Sequence, residues 1–100
     1  MQVTFEYNGV RSSERLEQKI LKKLNKLVAK YDFIVRASVY LRAVHSHYPF
    51  AGKVCNIKLS VPGPFLFAES NTDNFENSLQ HSIEELEQQL ARKKGKFARH

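Results

Sequence analysis

The sequence predicts an α+β two-layer sandwich of order β-α-β-β-β-α, with a four-stranded mixed sheet and both helices on one of its faces. Three observations carry this. Two segments place apolar residues three and four apart, four short segments alternate apolar with polar residues, and the two kinds follow one another in that order. A chain of 100 residues with 42% hydrophobic composition can build one core, so a single domain over residues 1–100 is expected, with a basic end at 92–100.

The first strand is "QVTFEY", with Val3, Phe5 and Tyr7 on one side and Gln2, Thr4 and Glu6 on the other. Asn8 and Gly9 then turn the chain. A helix is predicted from about Ser13 to Tyr31: Ser12 or Ser13 can cap it, Glu14 and Glu17 suit its positive end, and Leu16, Ile20, Leu24, Leu27, Val28 and Tyr31 form one apolar stripe.

The run "FIVRASVYLRAV" resolves by period two, placing Val35, Ala37, Val39, Leu41 and Ala43 towards the core. "HSHYPFAG" breaks the alternation as a hairpin connection. "KVCNIKLSV" resumes it with Cys55, Ile57, Leu59 and Val61 inward, "PGP" turns again, and "FLFAES" is a short last strand. Asn71, Thr72 or Asp73 can cap a final helix whose apolar stripe is Phe75, Leu79, Ile83, Leu86 and Leu90. A first helix that crosses between parallel strands does so right-handedly, which puts both helices on one sheet face. The other face shows Arg36, Arg42, Lys53 and Lys58 to solvent or a ligand.

Charge narrows the function. Sixteen Lys and Arg against ten Asp and Glu leave a formal +6, which favours an acidic partner. At about 100° per residue, Arg15, Lys19, Lys22, Lys23, Lys26 and Lys30 share an arc of about 100° on the first helix, and Glu14 and Glu17 lie outside it. Solvated faces usually mix signs to gain pairs at three and four residue spacing. This stripe does not, so it reads as a surface for a polyanion, nucleic acid first. The second helix is acidic and amide-rich, with Asp73, Glu76, Glu84, Glu85 and Glu87, until Arg92, Lys93, Lys94, Lys96 and Arg99 follow at its end. Cations there also suit the helix dipole. Lysines favour phosphate over base reading, and an apolar stripe committed to a sheet disfavours membrane insertion.

Other chemistry has less support. His45 and His47 near Cys55 would give at most three metal ligands, whereas a structural zinc site takes four, so no metal or cofactor is expected. Cys55 on an inward register reads as a buried hydrophobe, and a lone cysteine without a disulfide fits a reducing, cytoplasmic setting. No apolar run reaches the roughly 20 residues of a membrane span, and the N-terminus lacks a signal-peptide core. No phosphate loop, dinucleotide fingerprint or serine elbow occurs, so catalysis is not expected. Of Phe65 and Phe67 against Leu66 and Ala68, one pair must face away from the helices, either to stack on bases or to shield the sheet.

The pattern V-x-x-S-x-x-L…K-L-x-K-L-x-x-x-Y, here Val10, Ser13, Leu16, Lys23, Leu24, Lys26, Leu27 and Tyr31, resembles the ribosome hibernation promoting factors, also called ribosome-associated inhibitors or sigma-54 modulation proteins. "LEQQLARKKGK" is similar to that family's terminal helix motif, and the resemblance spans nearly the whole chain. It implies a β-α-β-β-β-α domain that binds the small ribosomal subunit between head and body, overlaps the messenger and transfer RNA positions and silences ribosomes under stress or in stationary phase. It further implies phosphate contacts by Lys23 and Lys26 and by the helix end at Arg92, Lys94 and Lys96. Glu85 and Gln88 depart from the family's usual Lys and Arg. The length resembles the short form, a monomer off the ribosome. The alternative from another class is a basic interaction module that regulates transcription through an acidic protein.

Overall fold

A computed structural model gives the element order β1 (Gln2–Asn8), α1 (Glu14–Lys30), β2 (Arg36–Ala43), β3 (Lys53–Ser60), β4 (Leu66–Thr72) and α2 (Phe75–Phe97). The structure describes residues 1–45 and 47–97, the latter without the Phe97 side chain; Arg99 of the basic end lies outside them. The strands form one sheet in the order β1-β2-β3-β4. β1 pairs with β2 in parallel, and β2, β3 and β4 form an antiparallel meander, which is the mixed sheet the sequence predicts.

The register sets one face of the sheet against the helices. Ala37 opposes Val3 and Leu59, and Val39 opposes Phe5 and Ile57. Ile57 continues to Ala68 on β4. Ile20, Leu24, Leu27 and Tyr31 of the first stripe and Leu79, Leu86 and Leu90 of the second close over this face as one buried cluster. α1 begins where its capping residue predicts: Ser13 is extended, and its hydroxyl accepts from the Leu16 N–H at 3.2 Å. Gly9, at φ 70°, makes the turn before it in a conformation that L side chains rarely adopt.

The structure corrects five details. Val35 is 60% exposed and Ile34, at 6%, takes its place in the core. Pairing of β2 with β1 starts only at Arg36, and the Ile34 N–H still bonds to the Tyr31 carbonyl, so the two-residue period does not extend back across the turn. The cap of α2 is Asn74, whose side-chain oxygen accepts from the Asn77 N–H at 2.8 Å. The three expected caps are occupied elsewhere: Asn71 accepts from the Gly52 N–H, Thr72 is still paired with Lys53 in the sheet, and Asp73 accepts from the side-chain amides of Asn74 and Asn77. The last strand accordingly starts and ends later than "FLFAES". The basic end is helical through Phe97, so Arg92, Lys93, Lys94 and Lys96 stand on turns of α2. Lys53 is not on the outer face with Arg36, Arg42 and Lys58: it shares the register side of Cys55 and Ile57, and its ammonium lies 5.9 Å from the Phe75 ring of α2.

Two buried serines fix how closely α2 approaches the sheet. The Ser78 hydroxyl donates to the Lys53 carbonyl and the Ser82 hydroxyl to the Cys55 carbonyl at 2.8 Å, both in β3. Small residues let the helix backbone come down onto the strand, and each hydroxyl finds an acceptor there, so no desolvation penalty is left uncompensated.

Cys55 lies fully buried beneath that helix, and burial pushes its thiol from 9.0 up to about 12. The thiolate is the reactive form. Iodoacetamide at neutral pH is therefore expected to leave the native protein unmodified and to alkylate it once on unfolding, read by mass spectrometry. Because the folded value is raised, this contribution to stability is complete below pH 9 and is lost as the pH rises towards 12. Tyr7, raised to about 12 by burial and by its hydrogen bond to Glu17, acts in the same direction from pH 10 upwards. The urea midpoint should fall across this window, and less steeply in Cys55→Ala.

Candidate nucleic-acid interface

α1 and α2 run parallel, side by side. Lys19 meets Glu76 at 2.8 Å, Lys23 meets the Gln80 side-chain oxygen at 2.7 Å and Lys30 meets Glu87 at 2.6 Å, each pair separated by 57 residues in sequence. A constant offset means that both helices climb in the same direction. α2 thus supplies acids to two members of the α1 stripe, Lys19 and Lys30, and a neutral amide to a third, Lys23, so the expectation of an unmixed basic face is corrected for two of its six members.

The angles explain which three meet α2. Lys19, Lys23 and Lys30 occupy the side of the basic arc nearer to the apolar stripe, about 40° to 80° from Arg15, and this side turns towards α2. Arg15, Lys22 and Lys26 fall within about 20° of Arg15, on the outer, solvent side of the arc. All three are exposed, and none makes an ion pair among the described residues. Between the helices, Lys19, Lys22, Lys23 and Lys26 line a groove with Glu76, Leu79 and Gln80. The groove continues past Leu27 and Ile83 to Lys30 and Glu87.

Lys94 belongs to the helix pair as well. Its ammonium lies 3.3 Å from the Lys30 carbonyl and 5.5 Å from the Tyr31 ring, closing the last turn of α1. The Tyr31 hydroxyl donates to Glu87, which also receives Lys30. Hydrogen bonding to Glu87 holds Lys30 above the usual lysine range, and hydrogen bonding to Lys19 holds Glu76 below the usual carboxylate range. These contacts orient the lysines more than they stabilise the fold, since exposed pairs are strongly screened.

Arg92, Lys93 and Lys96 form a second cationic patch with Pro64, Leu66 and Gln89. It is separate from the α1 patch, because the exposed Glu84, Glu85 and Gln88 occupy the side of α2 between them. Gly63 of the "PGP" turn, at φ 87°, sits against this patch, and a Cβ there would come within 3.3 Å of the Lys93 ammonium. The ten sequence-selected cations therefore separate into Arg15, Lys22 and Lys26 facing solvent on α1, Lys19, Lys23, Lys30 and Lys94 between the helices, and Arg92, Lys93 and Lys96 at the far end of α2.

The interhelical pairing was within reach of the sequence. Glu76, Gln80 and Glu87 share an arc of about 40° on α2, the polar counterpart of the inward lysines. His45 and His47 are exposed, with ring centroids 5.9 Å apart, while Cys55 points into the core; among the described residues no group of three or more His, Cys, Asp or Glu is placed to hold a metal. No helix among the described residues is long and apolar enough to cross a membrane.

An open four-stranded sheet backed by a parallel, cationic helix pair defines a class of small α+β domain. The sequence matches the family model described as sigma 54 modulation protein / S30EA ribosomal protein over residues 3–98, and the chain belongs to that family. This is the hibernation-factor family that its motifs resemble. Among solved structures, a ribosomal subunit interface protein from Coxiella burnetii superposes with a TM-score of 0.82 at 21% identity, covering 95% of this chain and 99% of that one. The Protein Y N-terminal domain from Thermus thermophilus superposes at 0.79 with 18% identity, covering 92% and 98%. At these identities the two structures establish the shared fold. Comparison with curated protein sequences gives no match.

Proposed function

We propose that the protein is a ribosome-binding translation inhibitor, without catalysis of its own, that acts in the cytoplasm. It docks on small-subunit ribosomal RNA and blocks the messenger and transfer RNA channel under stress or in stationary phase. The observation that carries this reading is the cationic face of α1: Arg15, Lys22 and Lys26 project together without an ion-pair partner among the described residues, on a domain of the S30EA family. Lys19, Lys23 and Lys30 line the adjacent groove, where contacts to Glu76, Gln80 and Glu87 hold them in fixed directions. Arg92, Lys93, Lys94 and Lys96 add a second footprint at the end of α2. Phosphate contacts of this kind give position and affinity without base reading.

The description of the family as an S30EA ribosomal protein supports association with the ribosome. The test uses purified subunits. The protein is expected to cosediment with small subunits as a monomer, one copy each, and to inhibit cell-free translation of a defined message. Excess initiator transfer RNA and message added first should reduce binding. Cosedimentation with large subunits alone, or binding indifferent to message and transfer RNA, would overturn the proposal.

A further inference from the structure

The outer face of the sheet divides into two unlike halves. Towards the β2–β3 loop its polar groups satisfy one another: Arg42 bonds to Glu69 at 3.2 Å, Asn56 also donates to Glu69, and Asn8 donates to the Tyr40 hydroxyl at 3.0 Å. The two rows at the opposite end carry cations and aromatic rings, and the nearest acids, Glu6 and Glu69, stand in the row beside them. One row across the strands runs Thr4, Ser38, Lys58, Phe67, and the next runs Gln2, Arg36, Ser60. Phe65 stands just before β4, its ring 4.3 Å from the Lys58 ammonium. Neither Arg36 nor Lys58 makes an ion pair among the described residues.

Phe65 and Phe67 are 56% and 43% exposed. Rings placed to shield a sheet would be covered or would cover apolar neighbours, but the cross-strand neighbour of Phe67 is Lys58, flanked by Ser38. Phe65 stands one residue before β4 and Phe67 within it, positions set about 6.7 Å apart where the backbone is extended. That is twice the roughly 3.4 Å per nucleotide of a helical strand, so consecutive bases of a duplex cannot occupy both rings, whereas the splayed bases of an unpaired strand can.

We infer that this half of the outer sheet is a second binding surface, for an unpaired RNA strand, in which Phe65 and Phe67 each stack on a base and Arg36 and Lys58 hold the phosphates. Charge complementarity selects a polyanion, and exposed aromatic faces select one that carries bases. The surface lies on the side of the sheet opposite the helices, so it goes beyond the helix-face reading; only the choice of RNA over DNA rests on that reading.

The chain has no tryptophan, which allows a direct test. Phe65→Trp and Phe67→Trp, made separately, each install one fluorophore at an exposed position that leaves the core untouched. Titration with a single-stranded oligouridine at low salt is expected to quench both to saturation, while inorganic polyphosphate, with charge but no bases, leaves them bright. Phe67→Ala in the Phe65→Trp protein should weaken oligouridine about tenfold or more, the usual effect of losing one base stack. Lys22→Glu with Lys26→Glu, which tests the helix face, should leave the quench intact, so either reading can fail without the other. Absence of quenching in both variants, equal quenching by polyphosphate, or loss of the quench on helix reversal would overturn the inference.

Discussion

Lys22→Glu combined with Lys26→Glu is expected to abolish cosedimentation with small ribosomal subunits at near-physiological salt while leaving the thermal midpoint within a few degrees of the parent. Both side chains are exposed and neither has an ion-pair partner among the described residues, so their replacement removes nothing that holds the fold. Their contribution lies in counterion release. Each phosphate contact contributes about 0.7 to 0.9 to the slope of log affinity against log salt. The neutral pair Lys22→Gln with Lys26→Gln should therefore flatten that slope by about 1.5. Lys19→Gln makes a useful contrast, because Lys19 already spends part of its charge on Glu76. Its loss should weaken binding less and flatten the slope by less than one contact. Unchanged sedimentation of the double reversal would move the interface away from α1.

The second large effect concerns the fold. Leu24→Ala is expected to cost about 3 kcal/mol, the middle of the range for deleting a buried leucine where the surroundings cannot collapse. Leu24 is fully buried in the cluster formed by both helices and the sheet. Against a total stability of about 5–15 kcal/mol for a domain of this size, that is a large fraction, and calorimetry should show a fall in Tm of about 10–20 °C. Val35→Ala should differ sharply. Alternation alone would rank Val35 with Val39 as a core residue, but its exposure means that its truncation should shift Tm by only a degree or two. Equal losses for the two variants would contradict the burial pattern.

Those two residues show where reading along the chain succeeds. Leu24 sits amid a stripe repeated over the whole length of α1, and a periodic signal sustained for several turns determines which face is buried whatever lies opposite. Val35 sits at an element boundary. There the outcome depends on which residue of β2 first finds its partner on β1, a contact across more than thirty residues of sequence. The cap of α2 follows the same logic. Asn71, Thr72, Asp73 and Asn74 all have capping chemistry, and competition for Asn71 by Gly52 and for Thr72 by the β4 ladder leaves Asn74.

The candidate interface was legible in its composition and not in its geometry. Ten cations could be selected from spacing and charge, and the family resemblance in "KLNKLVAKY" and "LEQQLARKKGK" is confirmed by the match over residues 3–98. Their division into three groups was not legible, since it depends on α2 lying parallel to α1 and on one side of it. Element order, strand faces, core stripes and net charge follow from local periodicity and composition, which are properties of the chain before it folds. Which lysines meet Glu76, Gln80 and Glu87, which remain open to a phosphate, and which sheet face leaves Phe65 and Phe67 uncovered are settled by contacts between segments far apart in sequence. Side-chain chemistry proposes those contacts, and packing of the two helices on one sheet selects among them.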